Sequence, residues 1–412
     1  MKDSLHGAVS LPGSKSESNR ALMIAAYGGF SAAIGNLSKA HDTVLLQTLL
    51  RKVVDSQGPA TVRLDGEDAG TVVRFLLPFL SGREGVWLLT GSERMRQRPI
   101  GPLVDSLRQL GAEITCLNQE GYLPVRITGK PLAGGRVDID ASQSSQFVTA
   151  LLLAAPMWEK GLVLKLVGDI ASQPYIGMTV AMMEHFGARV LCEGRTITVL
   201  PQAYQPIPFV VSADWSAASY WYELAALGRD SSILLKGLKR PSLQGDAVVA
   251  DWYESLGVHT ADEACGVRLT KGEEKAPGAG DAPLAFDFKD SPDLFPAVLV
   301  TCVALHRPAV FTGIKNLSLK ESDRVTSLVT ELNKLYTFIN IIGGDEIRIE
   351  KSLLLDDFHN GNAVVFNTYH DHRIAMALAP LTLLFPSVSL DHPEVVAKSY
   401  PGYWGEIEPF TK

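Results

Sequence analysis

The spacing of apolar residues along this chain predicts helices and strands in alternation. Apolar side chains recur at every third or fourth position in segments 18–27, 43–54, 145–154, 216–227 and 371–384, which is typical of helices with a buried face. Short apolar runs at 85–89, 162–166, 196–200, 232–235 and 363–366 favour strands. Because both element types are spread over the whole chain, the pattern predicts an α/β fold.

One helical pattern recurs along the chain. It is found in segments 100–111, 176–187, 245–257 and 322–335. The first three end in Gly111, Gly187 and Gly257, and glycine is the residue favoured just after a helix. A strand-like stretch follows each of these glycines, which are separated by about 70 residues. This spacing exceeds that of solenoid repeats, so each repeated unit should hold several strands and helices.

Length and composition narrow the possible classes. A chain of 412 residues is expected to form two or more domains. Its longest apolar run, 295–305, is too short to cross a membrane, and its first residues resemble no signal or transit peptide, so a cytoplasmic protein is predicted. The net charge of −7 disfavours nucleic-acid binding. The four cysteines are widely separated, which argues against a zinc site or disulfide framework and predicts buried free thiols.

Basic residues recur at predicted helix starts and turns, beside Ser, Gly and Pro. They are Lys15, Arg20, Arg98, Lys320, Arg324, Arg373 and Lys398. Free N–H groups and the helix dipole favour anions at such positions. The first of these stretches, 11–20, lacks the spacing of a nucleotide-binding P-loop. The simplest ligand for the whole set is a small molecule with phosphate and carboxylate groups.

Each stretch also has a plainer explanation when taken alone. Segment 142–147 and the pair Pro174-Tyr175 are explained equally well by helix capping and by ligand binding. Segment 66–74 fits a tight turn. A carboxylate at Glu321, between two cations, fits either proton transfer or a solvated charged face.

The segment 369–373 contains two histidines, His370 and His372, which raise the question of a metal site. No third ligand lies at a suitable spacing, and Arg373 would repel a cation. A helix capped by Asp371, with His372 and Arg373 facing an anion, is the more economical interpretation.

A series of segments resembles the signature motifs of the 5-enolpyruvylshikimate-3-phosphate synthase family, within the enolpyruvyl transferases. They are 11–20, 94–100, 144–147, 172–176, 319–324, 371–376 and 398–401. They follow the family's order and cover nearly the whole chain. The resemblance implies an enzyme, a 3-phosphoshikimate 1-carboxyvinyltransferase, that moves the enolpyruvyl group of phosphoenolpyruvate to the 5-hydroxyl of shikimate 3-phosphate. By addition and elimination it would yield 5-enolpyruvylshikimate 3-phosphate and phosphate, on the shikimate pathway to chorismate and the aromatic amino acids.

The resemblance also implies an architecture. Two domains are expected, each an inside-out α/β barrel of three βαβαββ units. One domain, 14–211, would be inserted into the other, formed by 1–13 and 212–412, with the active site in the cleft between them. A monomer without metal or organic cofactor is expected, with glyphosate as a competitive inhibitor.

Site residues follow from the matching motif positions. Those expected to bind shikimate 3-phosphate are Lys15, Ser16, Arg20, Ser144, Ser145, Gln146, Ser172, Tyr175, Asp293, Asn316 and Lys320. Those expected to bind phosphoenolpyruvate are Lys15, Gly70, Arg98, Gln146, Glu321, Arg324, His372, Arg373 and Lys398. Asp293 would deprotonate the 5-hydroxyl, and Glu321 with Lys15 would handle the proton at the vinyl carbon.

Three features depart from the family's motifs. Asp68 stands where the family has Asn, Glu17 replaces an apolar residue, and segment 336–362 lacks the glycine that follows its helix. The related UDP-N-acetylglucosamine enolpyruvyl transferases have a Lys-Asn pair and a loop cysteine, whereas here Ser16 follows the lysine and Cys116 falls in a strand-like run. A non-catalytic binding protein on this scaffold is expected to have lost the acidic residues or cations that are present here.

Overall fold

The computed structural model describes residues 4–30, 33–56, 60–272, 282–335, 337–352, 363–385 and 388–411. The chain divides into two compact units. The first, here called the inserted unit, is Ser14–Val211, and the second, called the terminal unit, is Met1–Gly13 with Ser212–Lys412. Segment 271–281 is predicted to be a loop because it is rich in Gly, Ala, Pro and charged residues, and its residues 273–281 lie outside the described residues. Residues 336 and 353–362 of segment 336–362 lie outside them as well.

Strands occur throughout both units. They are β1 (Leu5–Ser10), β2 (Ile34–Gly35), β3 (Val62–Asp65), β4 (Gly85–Thr90), β5 (Glu113–Cys116), β6 (Val125–Gly129), β7 (Gly135–Asp140), β8 (Leu162–Val167), β9 (Val190–Glu193), β10 (Thr196–Val199), β11 (Phe209–Val210), β12 (Ser231–Lys236), β13 (Val258–Glu263), β14 (Gly266–Lys271), β15 (Leu284–Asp287), β16 (Ala309–Thr312), β17 (Thr337–Ile342), β18 (Glu346–Ser352), β19 (Val364–Phe366) and β20 (Val388–Leu390).

Helices alternate with these strands. They are α1 (Lys15–Gly28), α2 (His41–Asp55), α3 (Gly70–Ser81), α4 (Glu93–Arg96), α5 (Gly101–Gln109), α6 (Ser145–Ala154), α7 (Gln173–His185), α8 (Trp215–Leu227), α9 (Val249–Glu254), α10 (Phe295–Ala304), α11 (Arg324–Asn333), α12 (His372–Leu378) and α13 (Tyr403–Thr411). Short 3-10 turns are found at Ala155–Met157, Gly245–Val248, Pro292–Leu294, Lys315–Leu319, Ala379–Leu383 and Pro393–Lys398.

Four four-stranded sheets share one topology. Their strand orders are β3-β4-β6-β5 and β7-β8-β10-β9 in the inserted unit, and β1-β12-β14-β13 and β15-β16-β18-β17 in the terminal unit. In each sheet the first two strands are parallel and the last two form an antiparallel hairpin. The remaining strands form short parallel pairs, β2 with β11 and β19 with β20. The mixed α/β class predicted from the sequence is therefore confirmed.

The repeated helical segments occupy equivalent places in the four sheets. Each contains the helix that precedes the terminal hairpin, namely α5, α7, α9 and α11. The glycines that end the first three have φ angles of 96°, 87° and 80°. Glycine adopts this left-handed conformation without a steric penalty, so the chain can turn there from helix into hairpin.

Each unit has its own hydrophobic core. Helices α3 and α6 in the inserted unit, and α8, α10 and α12 in the terminal unit, are buried over all or nearly all of their residues. The helix predicted over 371–384 instead changes to a 3-10 turn after Leu378, because Pro380 cannot donate a backbone hydrogen bond.

Two further predictions concern thiols and membranes. All four cysteines are free, but only Cys302 is buried; Cys116 is half-buried and both Cys192 and Cys265 are exposed. The prediction of buried thiols is thus wrong for the latter two, which lie at or next to the exposed turns of hairpins β9–β10 and β13–β14. Within the described ranges, the helices lack the combination of length and hydropathy that a membrane span requires.

Candidate active site

Three helices of the inserted unit begin at predicted binding residues. Lys15 is the first residue of α1, Ser145 is the first of α6, and Ser172 immediately precedes α7. Ser144 caps α6, because its Oγ accepts a hydrogen bond from the backbone N–H of Gln146 at 3.2 Å. Ser172 has a left-handed backbone, with φ 55°, and its side chain makes no capping hydrogen bond. The three helix starts supply partial positive charge, as an anionic ligand requires.

Arg20 connects these three helices from inside the core. Its side chain donates to Thr179 Oγ1 at 2.8 Å, Ser16 O at 2.8 Å, Tyr175 O at 3.2 Å and Thr149 Oγ1 at 3.4 Å. Burial lowers the pKa of Arg20 to about 10, which still leaves the guanidinium charged at neutral pH. A guanidinium has five N–H groups, and these contacts use four of them. Arg20 therefore fixes the relative placement of the helix starts.

Lys15 forms an ion pair within the inserted unit. Its Nζ lies 3.0 Å from Oδ2 of Asp42, in the first turn of α2, and the two side chains are 14% and 4% exposed. Asp42 was not among the predicted site residues. The sequence shows Asp42 only as an acidic residue at the start of a predicted helix. Such a residue interacts favourably with the helix dipole in any protein, so it does not indicate a functional site.

Arg98 lies directly against Gly70 at the start of α3. A Cβ atom placed on Gly70 would come within 2.9 to 3.1 Å of Nη1, Nη2 and Cζ of Arg98. Arg98 is 5% exposed, and its Nη1 approaches the carbonyl oxygen of Asp68 at 3.5 Å. This placement of the guanidinium therefore requires glycine at position 70, so the two predicted residues lie in contact.

Gln146 is held at both ends of its amide. Its Oε1 accepts from Nη1 of Arg74 at 2.6 Å, and its Nε2 donates to Thr71 Oγ1 at 3.2 Å. Arg74 also donates to the carbonyl oxygen of Pro99 at 3.2 Å. The Arg74 and Thr71 side chains therefore orient the Gln146 amide.

Arg324 is the centre of the terminal unit's cluster. Its guanidinium, 1% exposed, donates to Asp371 Oδ2 at 2.9 Å, Asp293 Oδ1 at 2.9 Å and Glu321 Oε2 at 3.0 Å. Burial acts to lower the pKa of Arg324, but the three carboxylates outweigh burial and raise that pKa above its ordinary value. Arg324 is therefore a permanent cation that aligns three carboxylates.

Asp293 accepts hydrogen bonds from two arginines. Besides the bond from Arg324 to Oδ1, Nη2 of Arg373 donates to Oδ2 at 2.6 Å. The Asp293 side chain is 20% exposed, so solvent or a ligand can reach it. Two charge-assisted bonds fix the carboxylate's orientation, as the predicted base requires.

The start of α12 has the predicted N-cap. Asp371 is its N-cap and accepts from the backbone N–H of Arg373 at 3.0 Å, while Ser322 Oγ donates to Asp371 Oδ2 at 3.1 Å. His372 and Arg373 occupy the first turn, 1% and 5% exposed. The prediction that Asp371 caps a helix is confirmed. The contacts of Asp371 with Ser322 and Arg324 were not foreseen.

Other predicted residues of the terminal unit lie in 3-10 turns or at their ends. Asn316 and Lys398 are half-buried within the turns Lys315–Leu319 and Pro393–Lys398, and Lys320 directly follows the first of these turns. A residue that the sequence did not suggest is Asp246, fully buried, whose Oδ2 accepts from Ser216 Oγ. Burial and the neighbouring Asp293 raise the pKa of Asp246 to about 7.

The structure therefore assembles many of the predicted residues within each unit. The inserted unit brings together Lys15, Ser16, Arg20 and Tyr175, and separately Gly70 with Arg98. The terminal unit brings together Asp293, Glu321, Arg324 and Arg373. Among the described residues, no group of three or more His, Cys, Asp or Glu side chains could hold a metal ion. The fold and these side chains define an α/β protein with cations at helix starts and with three carboxylates bound to one buried guanidinium.

Comparison with known proteins identifies the family. Residues 1–407 match the family model described as EPSP synthase (3-phosphoshikimate 1-carboxyvinyltransferase). A 3-phosphoshikimate 1-carboxyvinyltransferase of Bacteroides fragilis (strain YCH46) is 41% identical over 409 residues, covering 98% of this chain and 95% of the relative. Another from Histophilus somni (strain 2336) is 35% identical over 438 residues, covering 99% and 97%.

A solved structure shares the fold. The structure of EPSP synthase from Acinetobacter baumannii gives a TM-score of 0.73 at 21% identity, covering 98% of this chain and 95% of that one. The chain belongs to the EPSP synthase family. The family, the transferase class and the shikimate-pathway reaction predicted from the motifs are confirmed.

Proposed function

We propose that this chain transfers the enolpyruvyl group with the residues assigned from its motifs, in a cleft between the inserted and terminal units. Shikimate 3-phosphate would bind mainly at the starts of α1, α6 and α7. Phosphoenolpyruvate would bind the cations, with its carboxylate and phosphate neutralised by Arg98, Arg373 and Lys398. The assignment of substrate-binding residues to the inserted unit and to the terminal unit is part of the same proposal.

The observation that supports this mechanism is the common attachment of two carboxylates to Arg324. Asp293 and Glu321 bind the same guanidinium at 2.9 and 3.0 Å, so they lie side by side with fixed orientations. Addition across an enol ether requires one group that takes a proton from an oxygen and another that exchanges a proton with a carbon. Two adjacent carboxylates provide both.

The proposed steps balance protons and bonds. Asp293 removes the proton of the 5-hydroxyl as its oxygen bonds to carbon 2 of phosphoenolpyruvate. Glu321, assisted by Lys15, protonates the methylene carbon, which becomes a methyl group in a tetrahedral intermediate. Glu321 then takes back a proton from this methyl group, the double bond re-forms, and the carbon–oxygen bond to phosphate breaks. The departing phosphate takes up the proton that Asp293 removed, which restores both carboxyl groups, and the cations stabilise it.

Arg20 has a narrower role in this proposal than its motif suggests. Four of its hydrogen bonds are made to protein atoms. It would therefore give shikimate 3-phosphate one hydrogen bond at most, and act chiefly by holding the helix starts. Lys15, Ser16 and the serines of α6 and α7 would provide the remaining contacts.

Further family features belong to the same proposal. Each unit would be an inside-out barrel, which agrees with helices buried on all sides and with strands such as β6 and β8 that alternate buried and exposed residues. A cytoplasmic monomer, inhibited by glyphosate in competition with phosphoenolpyruvate, would follow from the family resemblance.

Release of inorganic phosphate tests this function directly. The purified protein, shown to be folded by circular dichroism, is mixed with phosphoenolpyruvate and shikimate 3-phosphate. Phosphate should be released only when both are present, and UDP-N-acetylglucosamine should not replace the acceptor. The proposal is wrong if folded protein at micromolar concentration releases no phosphate above background, or if the nucleotide sugar is the preferred acceptor.

A further inference from the structure

The turn that precedes α12 has an unusual backbone. Tyr369 and His370 are consecutive residues with φ angles of 52° and 53°. This left-handed region is unfavourable for side chains with a Cβ atom, and two neighbours in it are not stable unless other contacts hold them. Asp371, His372 and Arg373 follow at once, so the turn sets where they lie.

Glu331, near the end of α11, holds this turn. Its side chain is fully buried and accepts from the backbone N–H of Asn367 at 2.8 Å, from Nδ2 of Asn367 at 3.2 Å and from the hydroxyl of Tyr369 at 2.8 Å. Lys334, one helical turn later, donates to Oε2, the same oxygen that accepts from the backbone N–H of Asn367. Both oxygens are thus occupied, and a buried carboxylate with four donors is well compensated.

The two ends of α11 hold neighbouring parts of one short segment. At its start, Arg324 and the preceding Ser322 bind the side chain of Asp371. Near its end, Glu331 binds the residues just before Asp371. The backbone N–H of Asp371 then donates to Thr368 O at 2.8 Å, which closes the turn. Helix α11 therefore fixes both position and direction of the start of α12.

We propose that Glu331 is a positioning residue for phosphoenolpyruvate, acting through His372 and Arg373. It stabilises the left-handed turn, the turn directs the first residues of α12, and Arg373 then reaches Asp293 at 2.6 Å. Without the carboxylate, the turn relaxes toward ordinary backbone angles and the guanidinium is displaced. The effect on phosphoenolpyruvate rests on the proposed function, whereas the stabilisation of the turn by Glu331 does not depend on it.

The variant Glu331→Gln tests the inference. The amide has the same shape as the carboxylate, so the substitution leaves no cavity. Its NH2 group takes the place of Oε2, so the backbone N–H of Asn367 and the ammonium group of Lys334 lose their hydrogen-bond acceptor. A displacement of about 1 Å at a substrate-binding group lowers efficiency by about 10²-fold. We expect kcat/KM for phosphoenolpyruvate to fall by about ten- to hundred-fold. The KM for shikimate 3-phosphate should change by less than about three-fold, because its proposed contacts lie mainly on α1, α6 and α7.

Two further variants separate positioning from loss of stability. Tyr369→Phe removes one hydrogen bond to Glu331 from a side chain that is 37% exposed, and should give a smaller change in the same direction. Glu346→Gln, at a half-buried carboxylate of β18 paired with Arg348, is the matched control and should leave both substrates unaffected. If Glu331→Gln does not fold, Tyr369→Phe provides the kinetic test.

Hydrogen exchange supplies a measurement that needs no activity. In Glu331→Gln, the amides of Asn367 and Asp371 should exchange faster, while those of β12 to β14 should not. The inference is supported if these amides exchange faster and kcat/KM falls for phosphoenolpyruvate while the KM for shikimate 3-phosphate is nearly unchanged. Unchanged exchange, or an equal loss for both substrates, overturns it. If the parent protein releases no phosphate, the proposed function fails, and the exchange result still decides whether Glu331 holds the turn.

Discussion

Replacing Glu321 with glutamine separates proton transfer from structure. Glu321 is 14% exposed, and its Oε2 accepts a hydrogen bond at 3.0 Å from Nη2 of Arg324. Glutamine has the same shape, and its carbonyl oxygen can accept the same bond. The variant therefore loses the negative charge and the ability to carry a proton, with little change in packing.

The two expected effects differ greatly in size. A hydrogen bond to a charged group contributes about 1.5–3 kcal/mol and a neutral one about 0.5–1.5 kcal/mol, so Glu321→Gln should lose roughly 1 kcal/mol of stability. In a domain of this size that lowers Tm by about 2–4 °C. Removal of a general acid–base group lowers kcat by about 10²–10⁴-fold, which is about 2.7–5.4 kcal/mol in the barrier.

The assay compares turnover and stability in three proteins. Asp323→Asn is the matched control, since Asp323 is exposed, lies in the same motif and caps α11 through Thr326, and asparagine caps as well as aspartate. Phosphate release and thermal unfolding are measured for the parent and both variants. The reasoning is refuted if Glu321→Gln keeps turnover within about five-fold of the parent, or if the control loses as much.

Three other variants give further tests. Gly70→Ala should displace Arg98, raising the KM for phosphoenolpyruvate with little loss of stability because a flexible side chain yields; an unchanged KM would show that Arg98 does not bind this substrate. Asp68→Asn should change that KM only slightly if the carboxylate is structural, and a tenfold improvement would show that it repels the substrate. Burial and the nearby Asp293 raise the pKa of Asp246 to about 7 from 3.8. The folded protein thus binds this proton more tightly than the unfolded chain, and Asp246→Asn should gain stability relative to the parent as pH rises from about 4 to about 7 in urea unfolding; a difference independent of pH contradicts this.

Much of the secondary structure could be predicted because its determinants are local. Helix α6 has the predicted bounds, 145–154, since a serine cap is followed by an unbroken apolar run. The repeated helices ahead of the hairpins were visible from spacing and from the glycines that end them. The apolar spacing predicts a helix that extends to residue 384, whereas α12 ends at Leu378. The spacing continues past Pro380, but the α-helical hydrogen bonding does not, because proline has no backbone N–H.

The candidate site was predicted less completely, for a physical reason. Cations beside Ser, Gly and Pro identify helix starts that favour anions, so Lys15, Arg98 and Arg373 could be found from local sequence. A buried charge also needs partners, but the sequence does not say which residues provide them. Arg20 binds Thr179, 159 residues away, and Arg324 binds Asp371, 47 residues away. Such pairs are created only by tertiary packing.

Deuterium incorporation during a single turnover tests the central claim most directly. Parent protein in excess over shikimate 3-phosphate and phosphoenolpyruvate is mixed in D₂O and quenched, and the enolpyruvyl product is analysed by mass spectrometry. If the methylene carbon is protonated to a methyl group and then deprotonated, the product's vinyl group carries deuterium, whereas product from the same reaction in H₂O carries none. A product formed at the normal rate in D₂O without vinyl deuterium would contradict addition and elimination at this site.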